Sequence, residues 1–201
     1  MKKLIFIILL TVPFMLEAQQ PKMHIKLYAG INVSTFVYRV ENVNSDLLAG
    51  FQLGGGFRIK KRALFGEIDF AYITQGITYS PRDEDDLAVE DDISIILRGF
   101  QVPILAGWVP VRTPVFGLYL YGGLENRFSM NGRIYYKDEE ILFKPKEAKL
   151  HFYNLGARFG TQIDLAMFNF DFSYIIGVTN SFRDRTRTNS HIFMFNVGFL
   201  F

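Results

Sequence analysis

The feature that most constrains the fold of this chain is an alternation of apolar and polar residues with a period of two. In 170–180, every second residue from Phe170 is aromatic or aliphatic, and the residues between them include Asp171 and Ser173. The same alternation is present in 153–164 and at the C-terminal end of the chain. Successive side chains of a β-strand point to opposite faces, whereas a helix repeats every 3.6 residues. The pattern therefore predicts an all-β chain.

The alternation continues along the chain and predicts eight strands. They cover 24–37, 47–60, 63–80, 93–109, 114–130, 149–165, 169–180 and 190–201. Each has at least the ~9–11 residues that a tilted transmembrane strand needs. Three connections are short turns, at 60–62, 110–113 and 166–168, and four are longer, at 38–46, 81–92, 131–148 and 181–189.

Short turns at one rim and long loops at the other are typical of bacterial outer-membrane barrels. The sequence therefore predicts an eight-stranded antiparallel up-and-down transmembrane β-barrel. An even strand number places both chain ends at the short-turn rim, which we expect to be periplasmic, with the long loops extracellular. The connection at 131–148 is interpreted as a solvated loop or a strand extension.

The beginning of the chain has a different composition. Lys2 and Lys3 precede an apolar stretch at 4–16, which has the length of a signal-peptide core and is too short for a membrane-spanning helix. We expect 1–18 to be a cleaved signal peptide and 19–201 to form the barrel domain; an uncleaved anchor is the alternative. Cysteine is absent, which excludes disulfides and cysteine nucleophiles. A formal net charge of +2 gives no reason to expect nucleic acid as a partner.

Volume indicates which face of the strands is enclosed. The interior of an eight-stranded barrel is just wide enough to be filled by side chains. The polar faces carry many of the 17 glycines, whereas the apolar faces carry Phe, Leu, Ile and Tyr. We therefore expect the apolar face to point into lipid; a soluble barrel would have the reverse arrangement.

The enclosed face then carries charged residues from several strands. They are Lys26, Arg58, Glu67, Asp69, Glu125, Arg127, Arg158, Asp164 and Asp171. Buried charges persist when they are paired and hydrogen-bonded. We interpret them as a polar network that closes the lumen, with an ion or proton path as the alternative.

Aromatic residues gather near the strand ends, as in the girdles of outer-membrane barrels. Those near the short-turn rim are Phe65, Trp108, Phe116, Phe168, Phe170, Phe199 and Phe201, and those near the loop rim are Phe36, Tyr79, Phe128 and Phe152. Pro103 lies inside the fourth predicted strand and has no N–H for the sheet. We expect a bulge or a local break at that position.

Several of these strand segments resemble a known family. Gly30, Asn32 and Ser34 form a Gly-x-Asn-x-Ser core that resembles the opening strand of the porin-T-like outer-membrane barrels of Bacteroidota. Gln75-Gly76 is similar to the end of that family's second hairpin. Gln101-Val-Pro-Ile-Leu105 resembles its Glu-Ile-Pro-Leu-Leu signature, with Gln101 in place of the acid, and this likeness would account for the proline.

The resemblance covers essentially the whole predicted mature chain and implies an eight-stranded outer-membrane barrel. The terminal Asn-Val-Gly-Phe-Leu-Phe201 is similar to the C-terminal aromatic signal that the barrel assembly machinery reads. The family's namesake is an accessory of type IX protein secretion and gliding, although most members have no assigned activity. The resemblance therefore implies, as an expectation, a subunit of an envelope protein complex.

The histidines allow a test for enzymatic chemistry. Barrel enzymes that modify lipid A need a histidine with a hydroxyl or carboxylate partner near the outer leaflet. His24 lies at the short-turn end, and the residues two positions after His151 and His191 are aromatic. Ser190 adjoins His191 but points to the opposite face. We expect no enzyme and no cofactor; a lipid A-modifying barrel remains the alternative.

Two predicted loops carry clustered charges and are the candidate contact surfaces. The loop after 81 includes Asp83, Asp85 and Asp86, and the loop after 181 includes Arg183, Arg185 and Arg187. The acidic cluster lacks the glycine and the spacing of a calcium loop, so a solvated surface is the simpler interpretation. The arginines are expected to bind lipopolysaccharide phosphates or to pair with the acidic loop across the mouth. Outer-membrane lipid and lipopolysaccharide are therefore expected partners.

Overall fold

A computed structural model describes residues 22–38, 43–81, 93–136, 139–144, 151–179 and 188–201. Its strands are β1 (Lys22–Tyr38), β2 (Val43–Lys61), β3 (Leu64–Pro81), β4 (Ile93–Arg112), β5 (Phe116–Tyr136), β6 (Glu139–Phe143), β7 (Tyr153–Leu165), β8 (Phe168–Gly177) and β9 (Thr188–Leu200). Within these ranges, no helix is long and apolar enough to cross a membrane. The predicted signal peptide at 1–18 lies outside the described residues.

Eight of the strands form a closed antiparallel barrel. Neighbours in the sheet are neighbours along the chain, and β1 pairs with β9 to close the ring. β4 pairs with β5, and β5 pairs directly with β7. The predicted eight-stranded antiparallel up-and-down barrel is therefore confirmed.

The ninth strand segment is an extension of the barrel wall. β5 continues to Tyr136, beyond the predicted end at 130, and β6 folds back on it as a hairpin. Ile134 lies opposite Ile141 and Arg133 lies opposite Leu142. The isoleucine pair favours the extended strand, because β-branched side chains pack well across a sheet. The interpretation of 131–148 as a strand extension was therefore correct for Glu139–Phe143, and β7 begins at Tyr153 rather than at 149.

The two faces of the wall have the predicted orientation. Large apolar side chains, among them Ile31, Phe70 and Phe159, are about half exposed on the outside. On β4 the outward apolar residues run from Trp108 to Phe100, and Arg98 follows on the same face. This run of nine residues has about the length that a tilted transmembrane strand needs, roughly 9–11 residues.

One predicted girdle residue points the other way. Phe65 is 4% exposed and packs inside the barrel with Leu105, Val109 and Tyr119. The reason is the alternation itself, since Phe65 shares its face with Glu67, which also lies inside. In the predicted girdle at the loop rim, the Phe128 and Phe152 rings lie 5.8 Å apart; the side chains of Phe36 and Tyr79 lie outside the described part.

Pro103 interrupts one ladder of the sheet without changing its register. β3 and β4 pair from Leu64 to Ile68 and again from Ala71, but not opposite Pro103. On its other side Pro103 lies opposite Glu125 in regular pairing with β5. Proline has no N–H for the sheet, and the structure has the local break, one of the two predicted outcomes, in the ladder between β3 and β4.

Candidate functional site

Arg58 is the most extensively bonded residue of the lumen. Its Nε donates to the Glu67 carboxylate at 2.5 Å, and its Nη1 lies 3.0 Å from both oxygens of Asp164. Its Nη2 donates to Gln162. Glu67 is its direct neighbour on β3, whereas Asp164 and Gln162 belong to β7 on another part of the wall. The guanidinium therefore links three strands across the interior.

Lys26 adds β1 to this network. Its ammonium contacts the Glu67 carboxylate and lies 2.9 Å from Oδ2 of Asp69. All three side chains are almost completely buried. The residue opposite Lys26 on β2 is Gly56, where a Cβ would overlap the Asp69 carboxylate. Glycine at this position therefore leaves room for the ion pairs, as the volume argument predicted.

Arg158 organises a second part of the network, on β5, β7 and β8. Its guanidinium lies 3.2 Å from Oε2 of Glu125 and 3.4 Å from Oδ1 of Asp171. The Tyr121 hydroxyl donates to both Asp171 oxygens, at 3.0 and 3.1 Å. Gln162 donates to Asp171 at 2.8 Å and to Glu67 at 3.2 Å, so it joins this part to the Arg58 part.

Lys60 is a lumen residue that the sequence interpretation missed, because 60–62 was assigned to a turn. The turn is in fact Arg62–Ala63, and Lys60 is 8% exposed, with its ammonium 2.8 Å from the Tyr119 hydroxyl. Its position two residues after Arg58 on the same strand was the available signal. The described lumen thus holds five cations (Lys26, Arg58, Lys60, Arg127 and Arg158) and five carboxylates (Glu67, Asp69, Glu125, Asp164 and Asp171).

An apolar layer lies across the lumen beyond the charged network. It consists of Ile73, Ile175, Ile192 and Met194, all of which are at most 4% exposed. Along β8, Ile175 lies two inward-facing positions further from the short-turn rim than Asp171. The sequence interpretation described only a polar lumen, because these residues share faces that are otherwise polar. Apolar side chains and paired charges together fill the barrel.

Arg127 lies on the far side of this layer. Its Nη1 donates to Gln75 at 3.0 Å and its Nη2 donates to the Ser190 hydroxyl at 2.7 Å. Gln75 and Ser190 are each one inward-facing position closer to the long-loop rim than Ile73 and Ile192. Among the described residues, no carboxylate forms an ion pair with Arg127, although it is 4% exposed. The structure therefore places Arg127 inside the barrel but outside the network of ion pairs.

The three histidines have different surroundings. His24 lies at the short-turn mouth, and His151 precedes β7. His191 lies on the outward face of β9, where its Nδ1 is 2.5 Å from the Tyr174 hydroxyl. Ser190, the neighbouring hydroxyl, points into the lumen and binds Arg127. His191 therefore contacts a phenol, and Ser190 lies on the opposite face, as the alternation predicted.

The remaining predicted sites fall outside the description. Asp83, Asp85, Asp86, Arg183, Arg185 and Arg187 all lie in ranges that the structure does not describe. Their contact with lipid, lipopolysaccharide or one another remains a prediction. Within the described ranges, no three His, Asp or Glu residues are grouped so that they would hold a metal ion.

Comparisons with known proteins yield structural similarity and no sequence relationship. No protein-family model matches the chain. No curated protein matches it either. Among solved structures, the attachment invasion locus protein Ail of Yersinia pestis shares 14% identity, with 90% of this chain and 99% of that chain covered and a TM-score of 0.49.

Two further barrels have similar values. Neisserial surface protein A shares 11% identity, with 91% of this chain and 100% of that chain covered and a TM-score of 0.49. Outer membrane protein W of E. coli shares 13% identity, with 92% and 100% covered and a TM-score of 0.46. At these identities and scores the similarity carries no conclusion about a ligand, a partner or an activity.

Proposed function

We propose that this protein resides in a bacterial outer membrane, with its short turns and both chain ends in the periplasm and its long loops outside the cell. The apolar outer wall, with its run of exposed apolar side chains along β4, supports this location. The predicted signal peptide and the C-terminal Phe201, a candidate signal for the barrel assembly machinery, are consistent with export to that membrane.

Within that membrane, we propose that the barrel is a structural, binding or assembly module that acts through its rims. The observation that carries this proposal is the filled lumen, in which ten charged side chains and an apolar layer occupy the interior. A filled interior favours a rigid support over a conduit. The resemblance to porin-T-like barrels suggests an accessory subunit of an envelope complex, such as that of type IX secretion.

Planar-bilayer recording separates this proposal from a narrow pore. The purified protein should insert without producing conductance steps, because side chains occupy the lumen. The variants Arg158→Gln and Glu125→Gln serve as the comparison. Reproducible steps in the wild-type protein whose size shifts in these variants would establish the pore.

The assembly role is tested by purification from the native membrane. An affinity tag inserted after Asp138, in the longest predicted loop, allows gentle detergent extraction followed by mass spectrometry. We expect envelope proteins to co-purify in stoichiometric amounts, and a tagged unrelated barrel of the same membrane is the control. Recovery of the protein alone under several mild detergents would contradict a subunit role.

The contact between His191 and Tyr174 is the observation that favours the alternative, a lipid A-modifying enzyme. The pair lies on the lipid-facing side of the wall, where an imidazole and a phenol at 2.5 Å are able to exchange a proton. The test is the mass profile of lipid A in cells that carry His191→Ala or His151→Ala. We expect no change in either variant, and a change in the His191 variant would favour the enzyme.

A further inference from the structure

The short-turn mouth of the barrel holds a cavity that the proposed function leaves unused. We call it the mouth cavity; it has a volume of about 1120 Å³ and opens at the short-turn rim. The charged and polar side chains that carry the argument are Lys22, His24, Lys60, Arg112, Tyr119 and Asp164. They come from β1, β2, β4, β5 and β7, so the cavity exists only in the closed barrel.

The charges of the mouth cavity do not balance. Lys22, Lys60 and Arg112 are cations, whereas the negative groups of the described lining are the Asp164 side chain and the terminal carboxylate of Phe201. The Asp164 carboxylate is already engaged, because Arg58 below the cavity contacts both of its oxygens at 3.0 Å. The Lys60 ammonium forms a longer ion pair with the same carboxylate, at 3.5 Å, so one acid serves two cations. The cavity therefore carries an excess of positive charge.

Lys22 and Arg112 contribute most of this excess. Neither Lys22 nor Arg112 forms an ion pair with any described residue. The Nε2 atom of His24 is buried and has no hydrogen-bond partner among the described residues. Asp164 has no spare capacity for them, since Asn169 also donates to it at 2.8 Å. The Lys22 and Arg112 charges are thus available to a bound anion, whereas the buried Nε2 of His24 is not.

The cavity also has an apolar border. Val115, Met167 and Phe201 line it and are 56–70% exposed. Cations beside apolar side chains fit a ligand that alternates carboxylates with apolar groups, which is the character of an acidic peptide. A lipid headgroup is a poorer fit, because the lining residue Lys60 points into the barrel whereas its neighbour Lys61 is exposed on the other face.

We propose that the mouth cavity binds an acidic, extended peptide segment of a periplasmic protein through Lys60, Arg112 and Lys22. Carboxylates of the segment take the place of the missing counter-charges, and its apolar side chains cover Val115 and Met167. This inference rests on the proposed periplasmic orientation for the identity of the partner. The binding itself is a property of the cavity and is testable with purified protein.

The test measures binding of a fluorescein-labelled peptide of alternating Glu and Leu to the mature protein in nanodiscs of zwitterionic lipid. The matched probe alternates Gln and Leu. We expect the acidic peptide to bind more tightly by at least about tenfold, because hydrogen bonds to charged groups are the stronger ones. The difference should shrink at high salt, since the mouth is open to solvent.

Adjacent lysines provide the matched variants. Lys60→Gln and Arg112→Gln should each weaken binding of the acidic peptide by about tenfold. Lys61→Gln removes the same charge from the same strand end but outside the cavity, and it should leave the affinity within about twofold. Arg112 is exposed, so its variant keeps the proposal testable even if loss of the buried Lys60 impairs folding.

Two results would overturn the proposal. Equal binding of both peptides, or equal loss in the Lys60 and Lys61 variants, would show a non-specific basic surface. Displacement of the peptide by inorganic phosphate at equal concentration would show a small-anion site instead. Because the assay needs no envelope complex, peptide binding without co-purifying partners would contradict the subunit role and leave this inference standing.

Discussion

At the scale of single residues, two buried arginines differ in what surrounds them. Arg158 is paired with Glu125 and Asp171, whereas Arg127 donates to the neutral Gln75 and Ser190 and to no carboxylate of the described residues. Loss of a paired buried charge leaves its partners uncompensated, which is more costly than loss of a charge bonded to neutral groups. The stability of the barrel should therefore depend much more on Arg158.

Methionine substitutions test this difference. Arg158→Met should lower the free energy of unfolding by about 3–5 kcal/mol, because two carboxylates remain buried without their cation. Arg127→Met should lower it by only about 1 kcal/mol, the contribution of ordinary hydrogen bonds. Urea titration in detergent micelles, followed by the fluorescence of the single tryptophan, measures both. Equal losses would contradict the assignment of Arg158, and not Arg127, to the network of ion pairs.

Two residues lie in the lumen although the sequence analysis placed them elsewhere. Phe65 and Lys60 both lie in the lumen, and strict alternation from Glu67 and Arg58 would have placed them there. The sequence analysis instead placed Phe65 in an aromatic girdle and Lys60 in a turn, because those are common positions for an aromatic residue and for a lysine. In a barrel this narrow, position on the strand outweighed residue type.

At the scale of elements, the tight turns carry backbone conformations that favour glycine. Arg62 has a φ of 58° and Ala166 a φ of 53°, and each is the first residue of a two-residue turn. A positive φ at that position is the pattern of type II′ hairpins, which normally have glycine there. Both turns therefore hold local strain that the surrounding strands impose.

The pair Ala166→Gly and Ala63→Gly tests this strain with the same chemical change. Ala166→Gly should raise the free energy of unfolding by about 1 kcal/mol, because glycine adopts a positive φ without steric cost. Ala63 has no positive φ, so its replacement should lower the stability by about 0.5–1 kcal/mol through the entropy of the unfolded chain. The same urea titration measures both, and destabilisation by Ala166→Gly would rule out strain at that turn.

At the scale of the whole molecule, the wall defines the depth of the barrel in lipid. Trp108 is the single tryptophan of the chain and is 52% exposed on the outer face near the short-turn rim. Ile104 lies four residues further along the same face and is 49% exposed. In a membrane, the first should lie at the interface and the second closer to the bilayer centre.

Quenching by brominated lipids measures these depths. Trp108 should be quenched more strongly by bromines near the headgroups than by bromines deep in the acyl chains. A tryptophan at 104, in the double variant Ile104→Trp with Trp108→Phe, should show the opposite order. A soluble barrel would give neither pattern, and its tryptophan would be quenched by aqueous iodide instead.

The sequence by itself determined the all-β class, eight barrel strands and the orientation of most faces. These properties follow from alternation, which is local, and from the contrast between lipid and a narrow interior, which sorts side chains by chemistry and volume. The sequence also predicted the interruption of the sheet at Pro103, because proline has no N–H to donate. The nine charged residues predicted for the lumen all lie there. Whether a position is odd or even along its strand is enough to fix the side of the wall to which its side chain points.

Only the tertiary structure decided which of these residues meet. Arg58 and Asp164 are 106 positions apart in sequence, and their contact depends on the registers and on the closure of β1 against β9. The apolar layer, the isolation of Arg127 from the ion pairs and the unbalanced mouth cavity arise in the same way. Each is an arrangement across the lumen, and its neighbours are set by the tilt and stagger of the whole barrel.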